Sequence, residues 1–130
     1  MKTIGFPKPS KKKKVTITKL KKILMELVKS TVRERDNHTC QHCHKVVEGS
    51  NCQVSHVIPV SHGNRLAFDP MNMKILCYHC HLNWWHKNPI EAGQWFKDTF
   101  PKRWVYLEKH KNEKVDWKVS DYEEKIDAYK

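Results

Sequence analysis

A chain of 130 residues has room for one domain with a modest core, and its 25 Lys and Arg against 14 Asp and Glu leave a formal charge of +11. That excess favours a polyanionic partner, nucleic acid ahead of a membrane surface, because neutralising phosphates releases condensed counterions. No apolar run reaches the length of a bilayer span, and Met1-Lys2-Thr3-Ile4-Gly5 opens no apolar signal region. Five cysteines is an odd count that reads as metal binding in a reducing, cytoplasmic setting rather than as a disulfide framework.

Residues 1–15 carry Pro7, Pro9 and the run Lys11-Lys12-Lys13-Lys14, which repels itself and reads as a flexible basic arm. Residues 16–130 then form one domain, with its core at about 33–99 and a helical extension over 100–130. Leu20, Ile23, Leu24, Leu27 and Val28 recur at helical steps, so 18–35 is an amphipathic helix that Asp36-Asn37-His38 ends. A knuckle over 40–50 follows, then a strand over 52–58, with Cys52 on it as a buried residue. Next come a loop over 60–70 containing His62-Gly63-Asn64-Arg65 and a second strand over 73–77. From Cys80 the chain reads as helical through Trp84 and Trp85. Asn88-Pro89-Ile90-Glu91 starts another helix, Pro101 opens one carrying Trp104 and Leu107, and Ser120-Asp121-Tyr122-Glu123 boxes the start of a last one. Trp84 and Trp85 fit packing against the 89–99 helix better than stacking on bases, and at least one of them belongs in the core.

The chemistry lies between Cys40 and His81. Cys40/Cys43 and Cys77/Cys80 are two Cys-x-x-Cys pairs separated by 33 residues. Each pair offers two sulfurs from one tight turn, so together they suit one tetrahedral zinc. Four thiolates leave no open position, which makes that Zn²⁺ structural. His42, His44 and His79 are alternative ligands that four sulfurs make unnecessary. His56, on the first strand, is a candidate general base, since an imidazole near its ordinary pKa accepts a proton from water at neutral pH. Asn72 has an amide able to pin the loop or the backbone beside His56. His81 stands at a helix start that the zinc holds and can ligate a second, harder metal. Arg65 and Lys74 are candidate phosphate contacts for DNA.

The order Cys-x-x-Cys, Ser55-His56-Val57-Ile58-Pro59, Asp69-Pro70-Met71-Asn72, Leu76-Cys77-Tyr78-His79-Cys80-His81 resembles the HNH branch of the His-Me finger (ββα-metal) nucleases over residues 33–86. It is similar to phage recombination nucleases of the Rap/NinG type and, more distantly, to recombination endonuclease VII. The fold this resemblance implies is α+β: a small zinc-stabilised ββα-metal core with an N-terminal helix and C-terminal helices. The activity implied is hydrolysis of DNA phosphodiester bonds, on branched recombination intermediates. By the same resemblance His56 is the general base, Asn72 the middle asparagine of the site, and His81 a ligand to one catalytic Mg²⁺ or Mn²⁺. Many HNH sites have Asp or His as a metal ligand directly before the base. This chain has Ser55, a poor ligand for Mg²⁺, so Ser55 and His86 stand as further candidate ligands. His86 follows His81 by five residues, where α-helical spacing of four would suit one face better. Resolving a junction takes two nicks, which would favour a homodimer. Against this reading stand a catalytically inactive zinc-stabilised DNA-binding module and a zinc-knuckle protein-interaction domain. An inactive copy has no need to keep His56, Asn72 and His81 together, and an interaction domain has no need of +11.

Overall fold

A computed structural model gives the backbone of residues 9–60 and 64–130 and the side chains from residue 16 onward, outside 61–63. Residues 1–8 of the expected arm, and His62 and Gly63 of the expected loop, lie outside the described residues. The chain divides into two compact units, the described part of Met1–Leu27 with Asp116–Lys130, and Val28–Val115. Helix α1 (Pro9–Arg35) runs from the first unit into the second. It starts well before the expected residue 18, so the Lys11–Lys14 stretch of backbone is helical. Among the described residues, no helix is long and apolar enough to cross a membrane.

In the first unit, Leu24 of α1 is fully buried, and so nearly are Tyr122 and Ile126 of α4 (Val119–Asp127). Trp117 stacks on Tyr122 at 5.7 Å, and Lys125 lies 5.3 Å from the Trp117 ring centroid. Helix α4 begins before the expected Ser120 cap. The Asp121 carboxylate accepts the Lys118 N–H at 2.9 Å, which satisfies one orphan donor of the first turn.

The second unit holds the expected ββ-helix core. The apolar stripe of α1 continues there through Val28 and Val32, both fully buried. The helix stops at Arg35 because Asn37 and His38 take left-handed backbone angles (φ 58 and 51). Their N–H groups return to Glu34 O at 3.1 Å and Arg33 O at 2.9 Å. This is the reversed end that asparagine tolerates. Asp36 then turns inward. Its carboxylate accepts Arg35 Nε at 2.9 Å and the backbone N–H of Ile75 at 2.9 Å, which ties the helix end to the second strand.

Strands β1 (Gln53–His56) and β2 (Met73–Leu76) form an antiparallel pair, in the register Gln53↔Leu76, Val54↔Ile75, Ser55↔Lys74 and His56↔Met73. Both are shorter than expected. Cys52 precedes β1 and is only half-buried. All four residues of β2 are buried, so it is a core strand with both faces covered. The turn that begins within the second cysteine pair is a π-helix, His79–Trp85, where an α-helix was expected from Cys80. The chain continues into α2 (Pro89–Thr99) and α3 (Pro101–His110). Both have proline at the start, where a missing N–H costs nothing. Asn88 makes no side-chain cap. Phe96 and Leu107 are fully buried with Val57 and Leu66, and Trp85, Trp95, Phe100 and Trp104 pack around them. Trp84 and Trp85 are both half-buried: Trp84 meets Trp95 edge-on at 5.2 Å, and Trp85 packs on this core cluster.

Candidate metal centres and active-site cleft

The cysteine pairs converge as their spacing requires. One sulfur each from Cys40, Cys43, Cys77 and Cys80 lies within 4.8 Å of all the others. Cys43 Sγ and Cys77 Sγ are 3.8 Å apart, the edge of a tetrahedron with metal–sulfur bonds of about 2.3 Å. The first knuckle closes through Cys40 N–H to Lys45 O at 2.8 Å, with His44 in the left-handed region at φ 65. Within each pair the second cysteine's N–H points at the first sulfur, at 3.4 Å in both cases.

Burial raises the Cys40 thiol pKa, but backbone N–H bonds from Cys43, Cys77 and His42 outweigh it and bring the group to about 7. Cys43 and Cys80 are pushed up, first by burial and then by the neighbouring thiols. Four crowded sulfurs cannot all ionise without a cation between them, so the donor set fits zinc. None of the candidate histidines joins the four-sulfur cluster. His42 instead reaches Cys80 Sγ through Nδ1 at 3.4 Å, and its ring is stacked 3.6 Å from Trp84. It braces a ligand from outside.

Beside the knuckle, His56, His81 and His86 line one cleft of about 540 Å³, walled by Val54, Ile58, Pro59, Trp85 and Trp104. His56 closes β1. Its Nε2 lies 3.2 Å from Ala67 O, a pure acceptor, so Nε2 carries the proton and Nδ1 keeps its lone pair. Burial, helped by Lys74 and Lys29, holds the His56 pKa below 6.5, and the ring is neutral at physiological pH. His81 is depressed to about 4, by burial first and then by His86, Lys74 and His56. It too is neutral and available as a ligand.

The π-helix explains His86. The His86 N–H bonds to His81 O at 3.2 Å across five residues, so one widened turn sets the two rings side by side. Their Nε2 atoms are 3.0 Å apart, a separation that suits one shared ion with metal–nitrogen bonds of about 2.0–2.1 Å. Such wide turns recur at functional sites. The two imidazoles therefore fit a divalent cation, with borderline transition metals favoured over Mg²⁺ because no carboxylate accompanies them.

Asn72 is fully buried. Its Oδ1 accepts the Ile58 N–H at 2.7 Å, and its Nδ2 donates to Ile58 O at 3.0 Å and Leu66 O at 3.2 Å. Its backbone carbonyl takes the Val57 N–H at 2.9 Å. Every amide atom thus holds the strand exit directly after His56, which makes Asn72 a positioning residue.

The segment after Pro101, for which the sequence suggests no chemistry, braces this loop from behind. Arg103 donates to Met73 O at 2.6 Å, and the Tyr106 hydroxyl donates to the Asp69 carboxylate. Asn64 exchanges two bonds with Val115, at 2.5 and 2.7 Å. Arg35 meets the same Met73 carbonyl at 2.6 Å from the other side, and Pro70 O at 2.7 Å.

Two expected contacts lie elsewhere. Lys74 is fully buried, its Nζ 2.9 Å from Ser55 Oγ and 3.3 Å from the Trp85 ring centroid. It cannot reach a DNA phosphate, and the expectation of a phosphate contact there is corrected. Burial, with Arg103 nearby, lowers its pKa well below that of an ordinary lysine. Ser55, its cross-strand partner, is 1% exposed and accepts a hydrogen bond from that amine on its Oγ, so it faces away from the cleft histidines and does not join them. Arg65 remains on the surface, paired with Glu113 at 3.3 Å. Gln53 escaped the sequence reading altogether; its Oε1 lies 2.7 Å from His81 Nδ1. Its place two residues before the Ser-His pair gives no chemical signal of its own.

No curated protein and no solved structure matches the chain. The family model described as HNH endonuclease matches residues 40–84, the stretch that carries both cysteine pairs, β1, β2 and His81.

Proposed function

We propose that this protein is a metal-dependent HNH endonuclease that hydrolyses DNA phosphodiester bonds. The observation that carries the reading is the convergence of His56, His81 and His86 on one cleft beside the four-cysteine knuckle. His56 Nδ1 serves as general base toward a water molecule, and its Nε2–H stays with Ala67 O to fix the ring. His81 and His86 would hold the catalytic divalent ion, Mn²⁺ in preference to Mg²⁺, because two imidazoles and no carboxylate face it. When bound, that ion supplies charge stabilisation at the phosphate and at the leaving oxygen. Asn72, Arg103 and Tyr106 keep the loop in register, and the knuckle keeps β1 and the histidine turn together. Ser55 has no part in metal binding.

DNA is the proposed partner, consistent with the +11 charge. Arg65 is a weaker candidate contact because Glu113 already neutralises it. The motif order supports reading it as a nuclease of the phage recombination type, which would work in the host cytoplasm, on branched DNA and as a homodimer.

The test is cleavage of linear, nicked, flapped and four-way DNA by zinc-loaded protein, with Mg²⁺, Mn²⁺ or EDTA. Metal-dependent cutting that favours the branched substrates is expected. Intact substrates in both metals would overturn the enzyme reading and leave a DNA-binding module. Equal cutting of all four would overturn the branched-substrate assignment alone.

A further inference from the structure

A histidine ligates through the nitrogen that lacks a proton, so the partner of its other nitrogen decides which atom faces the metal. For His81 that partner is Gln53, the first residue of β1. The Gln53 amide can be oriented from its own bonds. Nε2 donates to Ser50 O at 3.0 Å, which leaves Oε1 facing His81 Nδ1 at 2.7 Å. An amide oxygen only accepts, so His81 Nδ1 carries the proton. The lone pair is then on Nε2, the atom 3.0 Å from His86 Nε2. Ser50 lies in the short turn Gly49–Asn51, and Asn51 Oδ1 in that turn accepts the Tyr78 N–H at 2.8 Å, just ahead of the π-helix. One small turn thus fixes both the amide that orients His81 and the start of the turn that carries it.

We propose that Gln53 is the positioning residue that holds His81 in its Nδ1–H form and so makes Nε2 the metal-binding nitrogen. This rests on the reading of His81 as a ligand to the catalytic cation. The role is usually filled by a carboxylate or a backbone carbonyl. A neutral amide fixes the tautomer without adding a charge, and a carboxylate at the same position would make the imidazole a more basic ligand.

The test compares wild type, Gln53→Leu and Gln53→Glu, each zinc-loaded with its zinc stoichiometry confirmed. Two-bond ¹H–¹⁵N spectra without a second metal read the His81 tautomer, and electron paramagnetic resonance reads free Mn²⁺ during a titration. Wild type should show protonated Nδ1. Gln53→Leu should show mixed tautomers and bind Mn²⁺ about 10–100-fold more weakly. Gln53→Glu should keep the Nδ1–H form and bind at least as tightly as wild type. An Nδ1–H tautomer and unchanged Mn²⁺ affinity in Gln53→Leu would overturn the proposal. Unchanged Mn²⁺ affinity in His81→Ala would overturn the ligand reading instead, and the metal-free spectra keep the two failures apart.

Discussion

Replacing Asn72 by Ala removes an amide whose three hydrogen bonds all go to loop backbone, at 2.7, 3.0 and 3.2 Å. The groups left without a partner are the Ile58 N–H and the Ile58 carbonyl, while the Leu66 carbonyl keeps the Asp69 N–H at 3.3 Å. Each buried polar group without a partner costs about 1–3 kcal/mol. A water entering the vacated space recovers part of that, because the site is polar and an amide in size. The expected loss is therefore about 2–4 kcal/mol, a large share of a small domain's stability. Asn72→Asp keeps an acceptor for the Ile58 N–H but turns a second oxygen on two carbonyls, and should cost no less. Urea unfolding of the zinc-loaded protein measures the loss as a lowered midpoint at unchanged slope. A change under about 0.5 kcal/mol in Asn72→Ala would refute the clamp. Full stability with abolished cleavage would show instead that Asn72 touches the substrate.

Lys74→Met should change stability by less than about 1 kcal/mol, since it removes a buried amine as well as its bond to Ser55. It should leave DNA affinity and its salt dependence unchanged; a fall of about 1 in the salt slope would contradict the burial of Lys74. Stripping zinc with a chelator should abolish the near-ultraviolet signal of the packed Trp84, Trp85 and Trp95, because the metal's binding energy is folding energy. A retained signal would show that the knuckle folds unaided. Cleavage should rise with pH through a pKa below 6.5 and then stay level across neutral pH. His56 must be unprotonated to act as base, and burial lowers its pKa in the folded state. A rise centred above 6.5 would contradict the environment described for His56.

The parts of the site carried by spacing were legible in the sequence. The four cysteines needed only two tight turns, and the short alternating run around His56 announced a strand. The α+β class is what the family resemblance implies, and those strands and the helical periodicity on either side agree with it. What escaped depends on partners distant in the chain. Lys74 reads as a surface cation until β2 proves to be covered on both faces, and Ser55 reads as a ligand position until its register partner donates to its Oγ. The five-residue step from His81 to His86 looks wrong for an α-helix and becomes right in a π-turn, which local pattern does not encode. Gln53 and Arg103 carry no motif. Their importance comes from bonds to His81, 28 residues away, and to Met73, 30 residues away.

The central claim is that His56 is the base of a metal-dependent nuclease, and plasmid nicking by His56→Ala tests it most directly. Zinc-loaded wild type should nick supercoiled DNA with Mn²⁺ and stop on EDTA. His56→Ala, with equal zinc content and the same unfolding midpoint, should be slower by about 10²–10⁴-fold. Cleavage by His56→Ala at the wild-type rate would contradict the account.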